Sequence, residues 1–420
     1  MHKSDSVFER KQATQMATIL QKQINLTQQD SHTYHASFHP DWSVGPSMWS
    51  YPTTTRPAEA LIKTGVHGGM LAAILQLAAT KHFTTTLSAQ NQPDILSMHI
   101  DFLRTCTHNP FTITITDLKI GRGTSTIQLH LTQPTSKPNA NASQPSPLKI
   151  SATVTSTNFS ASPNSGPSAP TAWHLHPPPP PPPHFPNIAT HRPDPHWLAT
   201  TARSELMPLI NRMTMLTPKG GFPVPGLCDN WNSFTPEPIE ATHLTILTDL
   251  IPSMSDTLLR TGGVFDAHAI NDAAATWDAS NPGVPFTMRN SVVGAQRVGI
   301  WNATVTLDVE YQGRLGGRER EIEWAFTRAM TRELRGGRMD VEATICDEDG
   351  GVLCVARQVV LVLDVGRTFD RGRKGEGERA CCEVVAWAVW LVDWDCRCGY
   401  DMFCPRWTVK EPGSDGCWVV

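Results

Sequence analysis

The stretch Val66-His67-Gly68-Gly69-Met70-Leu71-Ala72-Ala73-Ile74-Leu75-Gln76-Leu77-Ala78-Ala79 decides the fold class. Ala, Leu and Ile are good helix formers, and nothing breaks the run before Thr84-Thr85-Thr86. The reading predicts a helix over 68–82. It is apolar on almost every face, so other structure must wrap it. It is too short to span a bilayer, which takes ~20 apolar residues. It is therefore a buried core helix. The two glycines ahead of it let another backbone, or a ligand, come close. The free N–H groups of the first turn favour a carbonyl oxygen or an anion at the same place. A tight turn into a core helix with no ligand is the competing reading.

Working outward, the flanking segments alternate. Tyr34, Ala36 and Phe38 mark a strand within 34–42, and a loop rich in Pro, Ser and Thr follows over 42–57. Ser97–Arg104, Phe111–Lys119, Thr124–Gln133 and Ile150–Phe159 each show one apolar and one polar face, as an antiparallel sheet covered on one side requires. A helix followed by such strands is an α+β layer in which the sheet wraps the helix.

The second half repeats this plan. Met213–Leu216 reads as a strand, and His243–Leu247 as a strand running through Asp249 into a helix around 252–260. Arg260–Gly299 is polar and punctuated by Gly and Pro. Strands return at Asn302–Tyr311, Ile322–Arg328, Arg338–Cys346 and Gly351–Asp364, the last Val/Leu-rich and central. The order of strand, helix and several strands thus occurs twice, a duplication by plan rather than by visible identity. Between the halves, Pro177–Pro183 is unbroken proline, read as a stiff spacer with a proline-reading partner as the lesser alternative. The expected division is a polar extension over 1–30, a first unit over 31–160, a Pro/Ser-rich linker over 161–207, a second unit over 208–366 and a Cys/Trp-rich tail over 367–420.

Composition narrows the classes. In 420 residues, 40% are hydrophobic and 18% charged, so a large core is available. The net charge of −4 argues against a nucleic-acid partner. No apolar run reaches ~18 residues, so no membrane span is expected. Met1–Asn25 lacks an apolar signal core and carries Asp5 and Glu9, and Cys417-Trp418-Val419-Val420 is no peroxisomal address, so the expected location is cytoplasmic. Of 10 cysteines, Cys106, Cys228, Cys346 and Cys354 stand singly and read as reduced, buried thiols. The other six lie between Cys381 and Cys417. The spacing of Cys396-Arg397-Cys398 and Cys404 is wrong for paired zinc ligands, and no metal is expected.

These residues resemble the thioesterase-like superfamily of double-hotdog proteins related to acyl-CoA thioesterase II. The likeness is carried by Val66-His67-Gly68-Gly69, by Leu103-Arg104, and by Lys119-Ile120-Gly121-Arg122 followed by Ser125-Thr126. Thr157-Asn158-Phe159 closes the first unit. In the second half, Asp229-x-Trp231, Leu247-Thr248-Asp249, Ala303-Thr304 and Gly337-Arg338-Met339-Asp340 match. The resemblance spans about 35–160 and 210–365 and implies a long helix wrapped by an antiparallel sheet, duplicated. It also implies acyl-CoA thioester hydrolysis with no metal or organic cofactor, acyl-CoA as partner, and an assembly state that stays open between monomer and homo-oligomer. A non-catalytic acyl-CoA or acyl-chain binding protein is the alternative.

Thioester hydrolysis needs a water relieved of a proton, a polarised carbonyl and an apolar groove for the acyl chain. By resemblance, the water is held by an Asp, a Thr and a Gln of the second unit, which fall on Asp249, Thr304 and Gln358. The register at Gln358 is open by one residue, with Val359 as the competing occupant. His67, Gly68 and Gly69 are the expected substrate-binding residues, with a turn or packing role the plainer reading of His67. A serine nucleophile is disfavoured by the lack of a Gly-x-Ser-x-Gly elbow. Asp278-Ala279-Ser280-Asn281-Pro282 has the wrong spacing, and lacks the His, for a hotdog hydratase.

Overall fold

The computed structural model describes residues 18–44, 65–134, 146–161, 171–291, 299–314 and 321–364, with 167 and 169. The first half contains α1 (Ile19–Gln23), β1 (Thr27–Gln28), β2 (Thr33–Ala36), β3 (Ser43–Val44), β4 (Gly65–Val66), α2 (Gly68–Thr84), β5 (Asp94–Phe102), β6 (Phe111–Lys119), β7 (Ser125–Thr132) and β8 (Leu148–Thr157). The second contains α3 (Phe185–Ala189), β9 (Trp197–Ser204), β10 (Met213–Pro218), β11 (Leu227–Phe234), α4 (Ala241–Leu247), α5 (Met254–Leu259) and α6 (Ala267–Ser280). It continues with β12 (Phe286–Asn290), β13 (Ile300–Tyr311), β14 (Ala325–Met330), β15 (Leu334–Arg335), β16 (Arg338–Cys346) and β17 (Val352–Asp364).

The quoted stretch is the buried helix α2. Met70 to Gln76, Ala78, Ala79, His82 and Phe83 are all buried, covering every face. Burying a side chain such as Ile74 or Leu75 contributes about 1.5–3 kcal/mol each. The threonines end the helix by capturing its last carbonyls: Thr84 Oγ1 donates to Thr80 O and Thr85 Oγ1 to Lys81 O, both at 2.7 Å. On the sheet, alternation holds as read. Phe111, Ile113 and Ile115 point inward from β6, and Ile127, Leu129 and Leu131 from β7.

One sheet runs through both halves. Its inner order is β2-β6-β7-β8-β5 and then β13-β17-β16-β14-β11, with β1 beyond β2 and β10, β9 and β12 beyond β11. Matching β2, β5, β6, β7 and β8 to β11, β13, β14, β16 and β17 makes the order read the same from either end. The halves meet where β5 and β13 pair antiparallel, with Ile100 opposite Leu307. Every strand pair is antiparallel except β12 with β9. β17 lies between β13 and β16, the central place expected of it. The helix α2 packs against β5, β7 and β8 and against α4, and one hydrophobic cluster joins Ile74 and Leu75 to Leu244, Ile246 and Leu307.

Several sequence readings need correction. His243–Leu247, read as a strand, lies in the helix α4, because Leu244, Ile246 and Leu247 are buried beside α2. The partner of α2 is therefore α4, and α5 near 252–260 is a short satellite. Residues 18–30 are not merely a polar extension: Leu20, Ile24 and Leu26 belong to the core. Nor is 161–207 only a spacer. Trp197–Ser204 is the strand β9, and the proline run is used locally: Trp197 Nε1 donates to Pro181 O and Arg328 donates to Pro177 O, each at 2.7 Å. Phe185 beside it joins Trp231, Trp324 and Trp197 in an aromatic cluster. The tail over 367–420 and its six cysteines lie outside the described residues. The four single cysteines are free and buried, and burial pushes the Cys106, Cys228 and Cys346 thiols up to about 12. No helix among the described residues is long and apolar enough to cross a membrane.

Candidate active site

Asp249 follows α4 rather than opening a helix, and the helix end it faces is not its own. A carboxylate at the C-terminus of α4 is disfavoured by that helix's dipole, but here the N-terminus of α2 is aimed at it. The Gly69 N–H donates to Asp249 Oδ2 at 2.7 Å and approaches His67 Nδ1 at 3.2 Å. His67 caps α2, and because its Nδ1 accepts, the neutral ring carries its proton on Nε2, 3.5 Å from Asp249 Oδ2. The glycines make this approach feasible. A Cβ on Gly68 would lie 2.7 Å from Asp249 Oδ2, and one on Gly69 2.8 Å from the Ile246 carbonyl oxygen. The other backbone for which the glycine pair leaves room is the end of α4.

Two further side chains close on the same carboxylate. Thr304 Oγ1 is 3.1 Å from Asp249 Oδ1 and 3.3 Å from Gln358 Oε1, so one hydroxyl proton is offered to two acceptors. Gln358 is held by its amide, whose Nε2 donates to Thr248 O at 2.6 Å. This settles the register at that strand: Gln358 is 5% exposed and faces inward, whereas Val359 is 49% exposed. Thr304 sits at a bulge in β13, where the pairing with β17 skips Val305. Such bulges re-aim side chains. The six residues singled out in the sequence are thus brought together.

They stand beside a cleft of about 280 Å³ whose wall includes His67, Gly68, Asp249, Thr304 and Gln358, and whose apolar lining includes Leu71, Phe102, Ile251, Phe265, Trp301 and Val341. Gly69 acts from behind the wall through its N–H. The sequence reading missed a polar group across the cleft. Ser255 Oγ donates to Asn302 Oδ1 at 2.6 Å, Asn302 Nδ2 to Ser253 Oγ at 2.8 Å, and Ser253 Oγ to Asp256 Oδ2 at 2.5 Å. Burial pushes the Asp256 carboxyl up, against the hydrogen bonds from Ser253 and Thr261. The cue was available: Ser253 caps α5 three residues before Asp256, a capping-box spacing.

The repeated topology defines a mate to this site. Asp249 lies nine positions after the N-cap of α4, as Gln76 does after the N-cap of α2. The β5–β8 pairing skips Leu96 just as β13–β17 skips Val305, which matches Ile95 to Thr304 and Val154 to Gln358. A cavity of about 470 Å³ lies there, walled in part by Gln76 and Ile95. There the carboxylate, hydroxyl and amide are replaced by the amide of Gln76 and the aliphatic chains of Ile95 and Val154, so this mate lacks the polar constellation.

The fold defines a class of protein first. The structure is similar to a hot-dog-fold protein from Alicyclobacillus acidocaldarius, with a TM-score of 0.53 and 15% identity over 83% of this chain and 98% of the other. It is also similar to the acyl-CoA thioesterase II TesB2 of Mycobacterium marinum, with a TM-score of 0.47 and 13% identity over 83% and 98%. In sequence, the acyl-CoA thioesterase N-terminal domain family matches residues 56–157 and the acyl-CoA thioesterase C-terminal domain family residues 176–362. The chain belongs to the thioesterase-like superfamily. It is 25% identical over 360 residues to the thioesterase-like protein TwmA of Talaromyces wortmannii, a match covering 84% of this chain and 94% of that one.

Proposed function

We propose that the protein hydrolyses an acyl-CoA thioester to CoA and a carboxylic acid, using a water held by Asp249, Thr304 and Gln358. The observation that carries this reading is the Thr304 hydroxyl lying between Asp249 Oδ1 and Gln358 Oε1 at the wall of an apolar cleft. In this mechanism the water gives one hydrogen bond to Asp249 and one to Gln358 Oε1. Its oxygen attacks the thioester carbonyl carbon as Asp249 takes the proton. The oxyanion forms against the Gly68 N–H at the start of α2, since the Gly69 N–H is given to Asp249 and those of Met70 and Leu71 to the His67 carbonyl. This donor is fixed before the reaction and needs no reorganisation. Collapse of the tetrahedral intermediate breaks the C–S bond, and the proton on Asp249 leaves with the CoA sulfur. His67, which donates toward Asp249, and Gly68 at the wall position the carboxylate and the carbonyl.

The halves are read as two hotdog units, about 31–160 and 208–366, each centred on one helix, with the hydrolytic set only in the second. The mirrored strand order and the β5–β13 seam support this division. Thiol release measured across acyl-CoA chain lengths tests the activity. Turnover that falls by ~10²-fold or more in Asp249→Asn is the expected result. Binding of acyl-CoA without turnover overturns it in favour of a carrier or sensor.

A further inference from the structure

Far from the cleft, three side chains from separate elements converge. His82 lies in the last turn of α2, His32 precedes β2, and Asp117 sits on β6 at a register shift. From Gly68 at the cleft to His82 the helix rises about 20 Å. His82 Nε2 is 2.9 Å from Asp117 Oδ1, and His32 Nε2 is 3.2 Å from Asp117 Oδ2. One ligand atom from each of the three lies within 4.8 Å of the others.

Counting protons shows that this is more than a chain of hydrogen bonds. His82 Nδ1 is 3.0 Å from the Ser31 carbonyl oxygen, which can only accept, so Nδ1 carries a proton. A neutral His82 then has its Nε2 lone pair facing a carboxylate oxygen at 2.9 Å, two acceptors in contact with no hydrogen between them. The ring is fully buried, so water does not relieve the conflict. His32 adds a second imidazole, its Nε2 on the other carboxylate oxygen and its Nδ1 2.8 Å from Ser31 Oγ, a hydroxyl that can donate to the ring or accept from it. At His82 a cation, a proton or a metal ion, must therefore stand between imidazole and carboxylate.

We propose that a divalent transition-metal ion of the zinc class binds His32, His82 and Asp117. Two imidazole nitrogens and one carboxylate are ligands that suit zinc, cobalt or nickel and not calcium or magnesium. A ligating histidine ordinarily donates its other ring N–H to a backbone carbonyl or similar group, as His82 does to Ser31. An N–O separation of 2.9 Å fits two ligands at ~2.0–2.2 Å set at about a right angle on one ion, and opens to ~3.3–3.6 Å for a tetrahedral one, a shift of a few tenths of an ångström. The His32 side chain is 42% exposed and can close the remaining distance, which leaves a solvent-facing position for water. The ion would tie the C-terminal end of α2 to β6 and to the entry of β2.

The test uses the full chain, dialysed against zinc and then against metal-free buffer, with metal counted by mass spectrometry and unfolding followed thermally. The expected result is one equivalent of zinc more in the wild type than in either His32→Ala or Asp117→Asn. A thermal midpoint that rises with zinc and falls with chelator should be seen in the wild type alone. His32→Ala removes a half-exposed side chain, so circular dichroism should show it folded. Cobalt separates this site from the cysteines of the tail: thiolate sites give intense charge-transfer bands, which should be equal in all three proteins, while the weaker ligand-field bands differ. Equal zinc content in wild type and variants overturns the proposal. So does NMR showing protons on both ring nitrogens of His82 in the presence of zinc, since a proton alone then holds the cluster.

Discussion

Asp249 Oδ2 and the backbone nitrogen of Gly69 lie 2.7 Å apart although 180 residues separate them. The carboxylate is contributed by one half of the chain and its strongest donor by the other. The hydrolytic group is therefore assembled only when α2 and α4 are packed together. Asp249→Asn should keep this packing, because the amide oxygen can still accept from Gly69, but it cannot take a proton from water. The expected loss in kcat is ~10²–10⁴-fold with little change in thermal midpoint. Thr304→Val should lower kcat in the same direction by less, since it removes a positioning hydroxyl and leaves the base. A wild-type rate in folded Asp249→Asn refutes the assignment.

Gly68→Ala tests the geometry rather than the chemistry. Its Cβ would meet Asp249 Oδ2 at 2.7 Å, so the carboxylate must shift by several tenths of an ångström. A displacement approaching 1 Å costs roughly 10²-fold in rate. Alanine is otherwise a better helix residue than glycine, so stability should hold. Measured kcat should fall while the unfolding midpoint does not. A fall in both would indicate that α2 has been pushed off α4.

The ion pair of Asp229 and Arg328 should dominate stability in the second half. Arg328 Nε and its terminal nitrogen meet the two carboxylate oxygens at 2.7 Å each, and both side chains are buried. Arg328→Met leaves a buried charge unpaired and should cost about 3–5 kcal/mol. Arg328→Met with Asp229→Leu should recover most of that, because the unpaired charge is gone. Denaturant unfolding of the two single variants and the double variant gives the coupling energy directly.

The same residues show what could be read in the sequence. The first half was legible because its strands are covered on one side and alternate strictly, and because α2 is apolar without interruption. β11 was not, since Leu227–Phe234 is buried on both faces and carries Asp229, Asn230, Asn232 and Ser233. Arg328 holds the first of these, and the amide nitrogens of the next pair donate inward, Asn230 Nδ2 to Asn232 Oδ1 and Asn232 Nδ2 to Thr327 Oγ1. Internal polar partners thus erase the periodicity that betrays a strand. His243-Leu244-Thr245-Ile246-Leu247 was misread because a short apolar run is ambiguous by period, and burial against α2 decided it. Asp249, Thr304 and Gln358 came from resemblance alone. Their convergence depends on a helix end, a bulge and an inward register, none of which is local.

The misread helix also carries a titration. His243 is buried at the third position of α4, its Nδ1 accepting from the Glu240 N–H and its Nε2 3.4 Å from Glu237 Oε2. Burial pushes its pKa down to about 4. The Glu237 carboxylate works against the shift, and the Arg212 guanidinium works with it. In the unfolded chain the ring returns to about 6.5. Below that pH the unfolded state binds a proton that the folded state refuses, so stability falls as pH drops from about 6.5 toward 4 and this group takes no more from it below that. His243→Gln keeps an acceptor for the Glu240 N–H, as Gln does at the third position of a capping box, and does not titrate. The midpoint of the variant should therefore fall less than that of the wild type between pH 7 and pH 5. Carboxylates that titrate over the same interval are common to both proteins and cancel in the comparison. Parallel midpoints at the two pH values would mean that His243 is protonated in the fold, paired with Glu237.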